Sequence, residues 1–139
     1  MLLNYASQSV QTMNIIISDS VAEKCCKKIQ VYYEIKNEAY TRHFELYGIY
    51  TKMTEGVNNQ SSYQSDFFDG IYGIWLSDCN KWIIGDITDN GQCAGYASAK
   101  PNSTEECIEN VGWNWDYWDS GDSGWKEAKE GLGVKCIDN

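Results

Sequence analysis

Several features are scarce in this chain of 139 residues: it has one proline, one histidine and no purely apolar run longer than three residues. The single proline and the lack of a glycine period exclude a collagen-like or proline-rich spacer. The short apolar runs predict no membrane-spanning segment. Basic residues are also few, 11 against 20 acidic ones, and the net charge of -9 disfavours nucleic acid and anionic lipid as partners.

Cysteines are plentiful for a chain of this length. Six are present, at positions 25, 26, 79, 93, 107 and 136, and none forms a C-x-x-C pair. That spacing disfavours a zinc or redox site, so we expect no metal and no cofactor. The six cysteines predict three disulfides, which form in an oxidising, extracellular setting.

The pairing is partly predictable. Cys25 and Cys26 are adjacent, so each is expected to reach a distant partner rather than its neighbour. Cys79 and Cys93 bracket a short strand-and-turn unit, and we predict that they pair. Cys25 and Cys26 then pair with Cys107 and Cys136 in an order that the sequence leaves open, and tie the first strand to the last.

The chain divides into an N-terminal arm, residues 1–24, and a cysteine-framed domain, residues 25–139. The arm has no cysteine, glycine or tryptophan, whereas the domain holds every residue of these three types. No apolar stretch of about 7–15 residues follows Met1, as a signal peptide would require. For an exported protein, we therefore expect the chain to begin at a processed or internal position, or its signal to be missing from this sequence.

Short β-strands are predicted throughout the domain. Alternating or β-branched segments separated by turn residues predict strands at 29–35, 43–53, 63–68, 71–76, 81–87, 113–118 and 133–136. One helical turn is expected at 105–110. Short strands at close spacing predict an all-β fold, a small antiparallel β-sandwich or open barrel stapled by three disulfides.

The N-terminal arm has its own strand pattern. Met13, Ile15 and Ile17 share one face of the segment 10–21, outside the disulfide frame. Such a strand either folds back onto its own sheet or adds to the sheet edge of a neighbouring copy. Because head-to-tail addition need not close, the second arrangement predicts the repeating subunit of a fibril or surface coat, with copies of itself as partners.

A tryptophan-rich segment supports an alternative. Trp113, Trp115, Trp118 and Trp125 stand among asparagine and aspartate residues, a composition typical of glycan-binding sites. This predicts a monomeric glycan-binding adhesion module. The competing interpretation is that at least two of the four fill the core of a small domain.

Catalysis is not expected. His43 is the one histidine, and its sequence context predicts a sheet residue rather than a general base. Hydrolysis by paired carboxylates would be a third, weaker hypothesis. Asp116, Asp119 and Asp122 do not match the spacing of a calcium-binding loop and predict a hydrated acidic turn.

Two triplets match the N-glycosylation signal. Asn59-Gln-Ser61 and Asn102-Ser-Thr104 both fall in predicted loops, where an exported eukaryotic chain would carry glycans.

An ordered series of motifs runs through residues 25–136. It comprises Cys25-Cys26 before Val31, Tyr47-Gly-Ile-Tyr50, Val57-Asn58, Ile74-Trp75, Trp82-Ile-Ile-Gly85, Cys107, Trp115-Asp-Tyr-Trp118, Trp125 and Val134-Lys-Cys136. The series resembles a cysteine-doublet module that recurs in multidomain extracellular proteins of invertebrates and some protists. That resemblance implies a small disulfide-linked β-domain outside the cell with a structural or binding task. The chain departs from the family pattern at Cys79, Cys93 and Asn59, and the arm is unmatched.

Overall fold

The computed structural model describes residues 25–100 and 105–137, which form short strands joined by turns. One short helix, α1 (Glu38–Arg42), and several single 3₁₀ turns lie between the strands. The strands are β1 (Lys28–Tyr32), β2 (Gly48–Lys52), β3 (Tyr63–Ser65), β4 (Tyr72–Leu76), β5 (Trp82–Asp86), β6 (Ala97–Ala99), β7 (Trp115–Asp119), β8 (Gly124–Glu127) and β9 (Gly133–Cys136). The 3₁₀ turns are Phe44–Leu46, Phe68–Gly70, Ile87–Asp89, Ile108–Val111 and Lys129–Gly131.

These nine strands build a single antiparallel sheet in the order β8-β7-β6-β5-β4-β3-β2-β1-β9. From β1 to β8 each strand pairs with the next one in the chain, as a meander. β9 then returns to the far side of β1, where Val31 lies opposite Val134. Thus β8 and β9 are consecutive in sequence but lie at opposite edges of the sheet.

That connection requires the sheet to curl. Nine flat strands span about 38 Å at about 4.8 Å per strand, whereas the six residue steps from Glu127 to Gly133 reach at most about 22 Å. The two ends of the sheet do approach each other. One hydrogen bond shows this: the amide of Val134 in β9 donates to the carbonyl of Gly112, just before β7, at 3.1 Å. The sheet is therefore a curled half-barrel.

The core fills the inside of the curl. Side chains at alternate strand positions point inward, as a pleated sheet requires. Their residues are buried: Ile29, Val31, Tyr50, Tyr63, Ile74, Trp82, Ile84, Ala97, Ala99, Trp115, Tyr117 and Val134. Leu46, Ile108 and Leu132 join them from the turns. Large aromatic side chains thus supply much of the apolar contact in a small domain.

Polar tips of the core aromatics hold the connections in place. The Tyr50 hydroxyl donates to the carbonyl of Leu46 at 2.7 Å, and the Tyr63 hydroxyl donates to that of Cys26 at 2.6 Å. The indole N–H of Trp82 donates to the carbonyl of Glu105 at 2.9 Å. Each ring therefore buries its apolar body and satisfies its polar atom on a nearby turn.

All six cysteines are paired. The bonds are Cys25–Cys107, Cys26–Cys136 and Cys79–Cys93, and the last is the pair predicted from the sequence. The structure resolves the order that the sequence left open. Cys25 pairs with Cys107, just before the 3₁₀ turn Ile108–Val111, and Cys26 pairs with Cys136, at the end of β9. The second bond does link the first strand to the last, since β1 and β9 are neighbours.

The all-β prediction is confirmed, and the architecture is the open barrel rather than the sandwich. The strand expected at 43–53 is wrong over 43–47, where the end of α1 and a 3₁₀ turn stand instead. Asn37 explains the helix, because its side chain accepts a hydrogen bond from the amide of Ala39 at 3.0 Å and caps the first turn. The helical turn expected at 105–110 is present as Ile108–Val111. β6 and β8 were not predicted.

None of the helices within the described part of the chain is both long and apolar enough to cross a membrane.

The disulfides predict a graded loss of stability. Cys25 and Cys107 are 82 residues apart, whereas Cys79 and Cys93 are 14 apart. Because Cys26 stays bonded to Cys136, however, the loop that the Cys25–Cys107 bond closes runs through that bond and the segment 107–136, about 30 residues. Longer closed loops restrict the unfolded chain more, so replacing both Cys25 and Cys107 by alanine should lower the free energy of unfolding by about 3.5–4 kcal/mol. The matched Cys79→Ala, Cys93→Ala variant should lose about 3 kcal/mol. Urea unfolding measures both, and an equal or inverted loss would contradict this ranking.

Candidate functional site

A row of outward-facing residues crosses five strands, from β4 to β8. In the strand register, Trp75 lies opposite Ile83, Ile83 opposite Ser98, Ser98 opposite Asp116, and Asp116 opposite Glu127. Because successive side chains alternate between faces, none of these residues belongs to the core inside the curl. The row changes from apolar at β4 to polar at β8.

The apolar half of the row is covered by the segment 87–96. Trp75 is fully buried although it points outward, and its indole N–H donates to the carbonyl of Gln92 at 2.8 Å. The backbone of this segment packs closely on β5, since a Cβ on Gly95 would lie 2.4 Å from the Ile83 side chain. The Cys79–Cys93 disulfide ties the segment to the turn before β5.

A pocket opens where that cover ends. It is a shallow cavity of about 160 Å³ on the outer face. Its lining combines an apolar side chain, an indole and polar groups: Lys81, Ile83, Cys93, Ser98, Asp116 and Trp125. Ile83 is only 2% exposed, so it forms the base of the pocket rather than its rim.

One tryptophan, Trp125, lines the pocket, and a second, Trp118, packs against it. Trp118 of β7 lies directly opposite Trp125 of β8, and their ring centroids are 5.4 Å apart in an edge-to-face arrangement. Trp118 is half-buried, whereas Trp125 is 46% exposed. The pair stabilises the edge hairpin, and it also leaves an indole surface open to a ligand.

Charged groups stand beside the tryptophan pair. The ammonium of Lys100 lies 2.7 Å from the Glu127 carboxylate and 3.6 Å from that of Asp116. The hydrogen bond between Lys100 and Glu127 is the main cause that raises the pKa of Lys100 and lowers the pKa of Glu127. Asp116 keeps carboxylate lone pairs that can accept hydrogen bonds from a ligand.

The four tryptophans of the predicted surface do not come together. Trp115 is fully buried in the core. Trp113 is half-buried and packs on Tyr32, with ring centroids 4.8 Å apart, and against Gly133, so it lies over the seam between β9 and the start of β7. Only Trp118 and Trp125 form a joint surface in the structure. Trp113 precedes β7, so it does not share a strand face with Trp115.

The three aspartates expected in an acidic turn separate as well. Asp116 faces outward, while Asp119 is 2% exposed at the end of β7. The Asp119 carboxylate accepts a hydrogen bond from the amide of Gly121 at 3.0 Å and lies 2.9 Å from the ammonium of Lys126 and 3.6 Å from the guanidinium of Arg42. Asp122 pairs with the same lysine. This cluster ties α1 to the β7–β8 hairpin.

His43 is not a sheet residue, contrary to the prediction. It follows α1 as its C-cap, and its ring Nε2 lies 2.6 Å from the carbonyl of Trp118. A carbonyl only accepts, so Nε2 donates there. The ring also packs edge-on against Tyr117. The imidazole thus supports the strand that carries Trp118.

The other predicted residues are distributed as follows. Asn59 is exposed in a two-residue turn in which Asn58 and Asn59 both have positive φ, so its glycosylation remains a prediction. Asn102 lies outside the described residues. So do the arm residues Met13, Ile15 and Ile17.

Sequence reasoning missed the pocket residues contributed by β5 and β6. Lys81 and Ser98 line the pocket, and Lys100 pairs with Asp116 beside it. All three lie more than ten positions from the tryptophan-rich segment and reach it only through strand pairing. The alternation of Trp82 and Ile84 with Ile83 indicated the two faces of β5. No local signal indicated that the Ala97–Ala99 segment would place Ser98 beside Asp116.

Comparison with known proteins returned no match among protein-family models, curated proteins or solved structures.

The buried carboxylate of Asp119 predicts an acid-dependent stability. Its contacts, first the hydrogen bond from Lys126, hold its pKa below the ordinary value of about 3.9. The ionised form therefore contributes stability above that pH, and the contribution is lost as the pH falls through the lowered pKa. Asp119→Asn should be less stable than the parent at pH 7, and the difference should shrink below about pH 4.

Urea unfolding at a series of pH values measures this difference. Asp122→Asn is the matched control, because it contacts the same lysine from an exposed position. A loss for Asp119→Asn that stays constant from neutral to acid pH would contradict the assignment.

Proposed function

We propose that this chain is an extracellular carbohydrate-binding module that uses the outer face of β5–β8. The observation that carries the proposal is the exposed indole of Trp125 beside a pocket lined by a carboxylate, a hydroxyl and an ammonium. A flat aromatic surface packs on the C–H face of a sugar ring, while a few placed polar groups bind its hydroxyls. Trp125 would supply the surface and Asp116 and Ser98 the polar contacts.

The arrangement of the site supports binding by a rigid scaffold. Trp118 fixes the Trp125 ring from the neighbouring strand, and the Lys100 ion pairs hold Asp116 and Glu127. Preorganised groups lose little conformational freedom when a ligand binds. The pocket is shallow, which suits the end or one residue of an exposed glycan.

Two further observations support an extracellular binding role. Three disulfides are typical of small secreted domains. The resemblance to the cysteine-doublet module implies the same location and a binding or structural task. The imidazole of His43 donates to a main-chain carbonyl on the inner side of β7, so in our proposal the site binds and does not catalyse.

Trp125→Ala tests this proposal. Binding of the full-length chain to a glycan array should show at least one class of ligand, and the substitution should weaken that binding by about tenfold or more because it removes the stacking surface. Phe44→Ala is the control, since Phe44 is 60% exposed but lies on the turn after α1. The proposal is rejected if the parent protein binds nothing on the array, or if Trp125→Ala leaves its binding unchanged.

A second candidate function is that of a self-assembling subunit joined through the N-terminal arm. The observation that favours it is the unpaired outer edge of β8: in the described ranges 25–100 and 105–137, β8 pairs with β7 alone. An open edge of a sheet can accept a strand from another chain. Residues 10–21 have the strand pattern that such a donor needs, with Met13, Ile15 and Ile17 on one face.

Deleting residues 1–20 tests the second candidate. The full-length chain should form filaments visible by electron microscopy, and the deletion variant should elute as a monomer in light-scattering chromatography, because the donor strand is gone. Phe44→Ala serves as a control that should still assemble, because Phe44 is exposed on the turn after α1, away from β8. A full-length chain that stays monomeric at high concentration would contradict the assembly role.

A further inference from the structure

The pocket contains one charged side chain, that of Lys81, that does not help to hold the fold together. Lys81 lies immediately before β5 and lines the pocket with Trp125 and Asp116. Within the described part of the chain, its ammonium makes no ion pair and no hydrogen bond. By contrast, Lys100 on the same face is paired with Glu127 and Asp116.

The backbone of Lys81 is firmly placed. Its carbonyl accepts hydrogen bonds from the amide and the hydroxyl of Ser77, at 2.8 and 2.7 Å. Its own amide lies 3.3 Å from the Ser77 hydroxyl. The Cys79–Cys93 disulfide closes the same turn against the segment 87–96. A rigid turn therefore presents a free cation at the pocket, and only the side chain itself loses freedom when a ligand binds.

The other charged groups in and beside the pocket pair with one another. Lys100 is held between the carboxylates of Asp116 and Glu127, so these three groups carry one negative charge in excess, and that excess is shared over two carboxylates on the β7–β8 side. Lys81 immediately precedes β5, and two strand spacings, about 10 Å, separate β5 from β7, which carries Asp116. The pocket thus has a cationic side at β5 and an anionic side at β7–β8.

We propose that the pocket selects an anionic sugar, bearing a carboxylate or a sulfate, over its neutral counterpart. This inference rests on the function proposed above. The anionic group binds the ammonium of Lys81, the sugar ring stacks on Trp125, and hydroxyls on the opposite side donate to Asp116. The preference is local, because the net charge of -9 repels anions from the molecule as a whole. An ammonium group is a compact point charge with three hydrogen-bond donors, so it can bind either anion without a fixed geometry.

Matched pairs of glycans test this selectivity. The array carries oligouronides, each beside its neutral methyl ester, and sulfated oligosaccharides, each beside its unsulfated parent. For at least one pair the full-length protein should bind the acidic member about fivefold more tightly, the upper range for a partly exposed ion pair. Preference for the uronides or for the sulfated sugars distinguishes the two sources of the anionic group.

Lys81→Gln should remove this preference, so that the acidic and the neutral member of each pair bind equally. Lys27→Gln is the matched control: it lowers the net charge equally, but Lys27 is exposed just before β1, away from the pocket. Trp125→Ala should weaken both members of each pair. Equal binding of acidic and neutral members by the parent protein, or a preference that survives Lys81→Gln, overturns the inference and leaves the carbohydrate-binding proposal standing. Binding of neither member overturns both.

Discussion

The structure depends on a short connection between the two edge strands of one sheet. Because five residues join β8 to β9, the nine-stranded sheet has to curl until its edges approach each other. The connection is secured from the β1–α1 side: the amides of Glu34 and Ile35 donate to the carbonyl of Glu130, and the Tyr47 hydroxyl donates to that of Gly131. Curling creates an enclosed inner face, and alternation then decides which side chains occupy it.

The same constraint divides the tryptophans by role. Those on the inner face, Trp82 and Trp115, are core residues, and Trp75 is an outward residue buried by the disulfide-tied segment 87–96. Trp118 and Trp125 lie beyond that cover, on the polar end of the outer face. The proposed ligand binding depends on these two large indoles, which neither the core nor the cover buries and which lie beside paired charges.

The sequence was sufficient for the fold class, since alternation at 29–35 and 81–87, together with frequent turn residues, indicated short antiparallel strands. It was insufficient for β6, because Ala97–Ala99 has little strand propensity and forms a strand only between β5 and β7. The strand predicted over 43–47 was wrong because local turn hydrogen bonds form there instead: the amide of Leu46 donates to the carbonyl of His43 at 3.0 Å. Of the four tryptophans predicted to bind glycans, Trp118 and Trp125 share an outward surface, and their glycan binding stays a prediction. Lys81 could not be assigned to that surface from the sequence, because it reaches the pocket only through long-range strand pairing.

In the proposed function, Trp118 and Trp125 form the binding surface, whereas the buried indoles only support the fold. Each of the six tryptophans gives one indole N–H signal in a ¹H–¹⁵N NMR spectrum, so a titration with the tightest-binding oligosaccharide reads every indole at once. If the proposed binding surface is right, the signals of Trp118 and Trp125 shift in a saturable way. The signals of Trp75, Trp82 and Trp115 stay in place. Unmoved signals for Trp118 and Trp125, or shifts confined to the buried indoles, would contradict it.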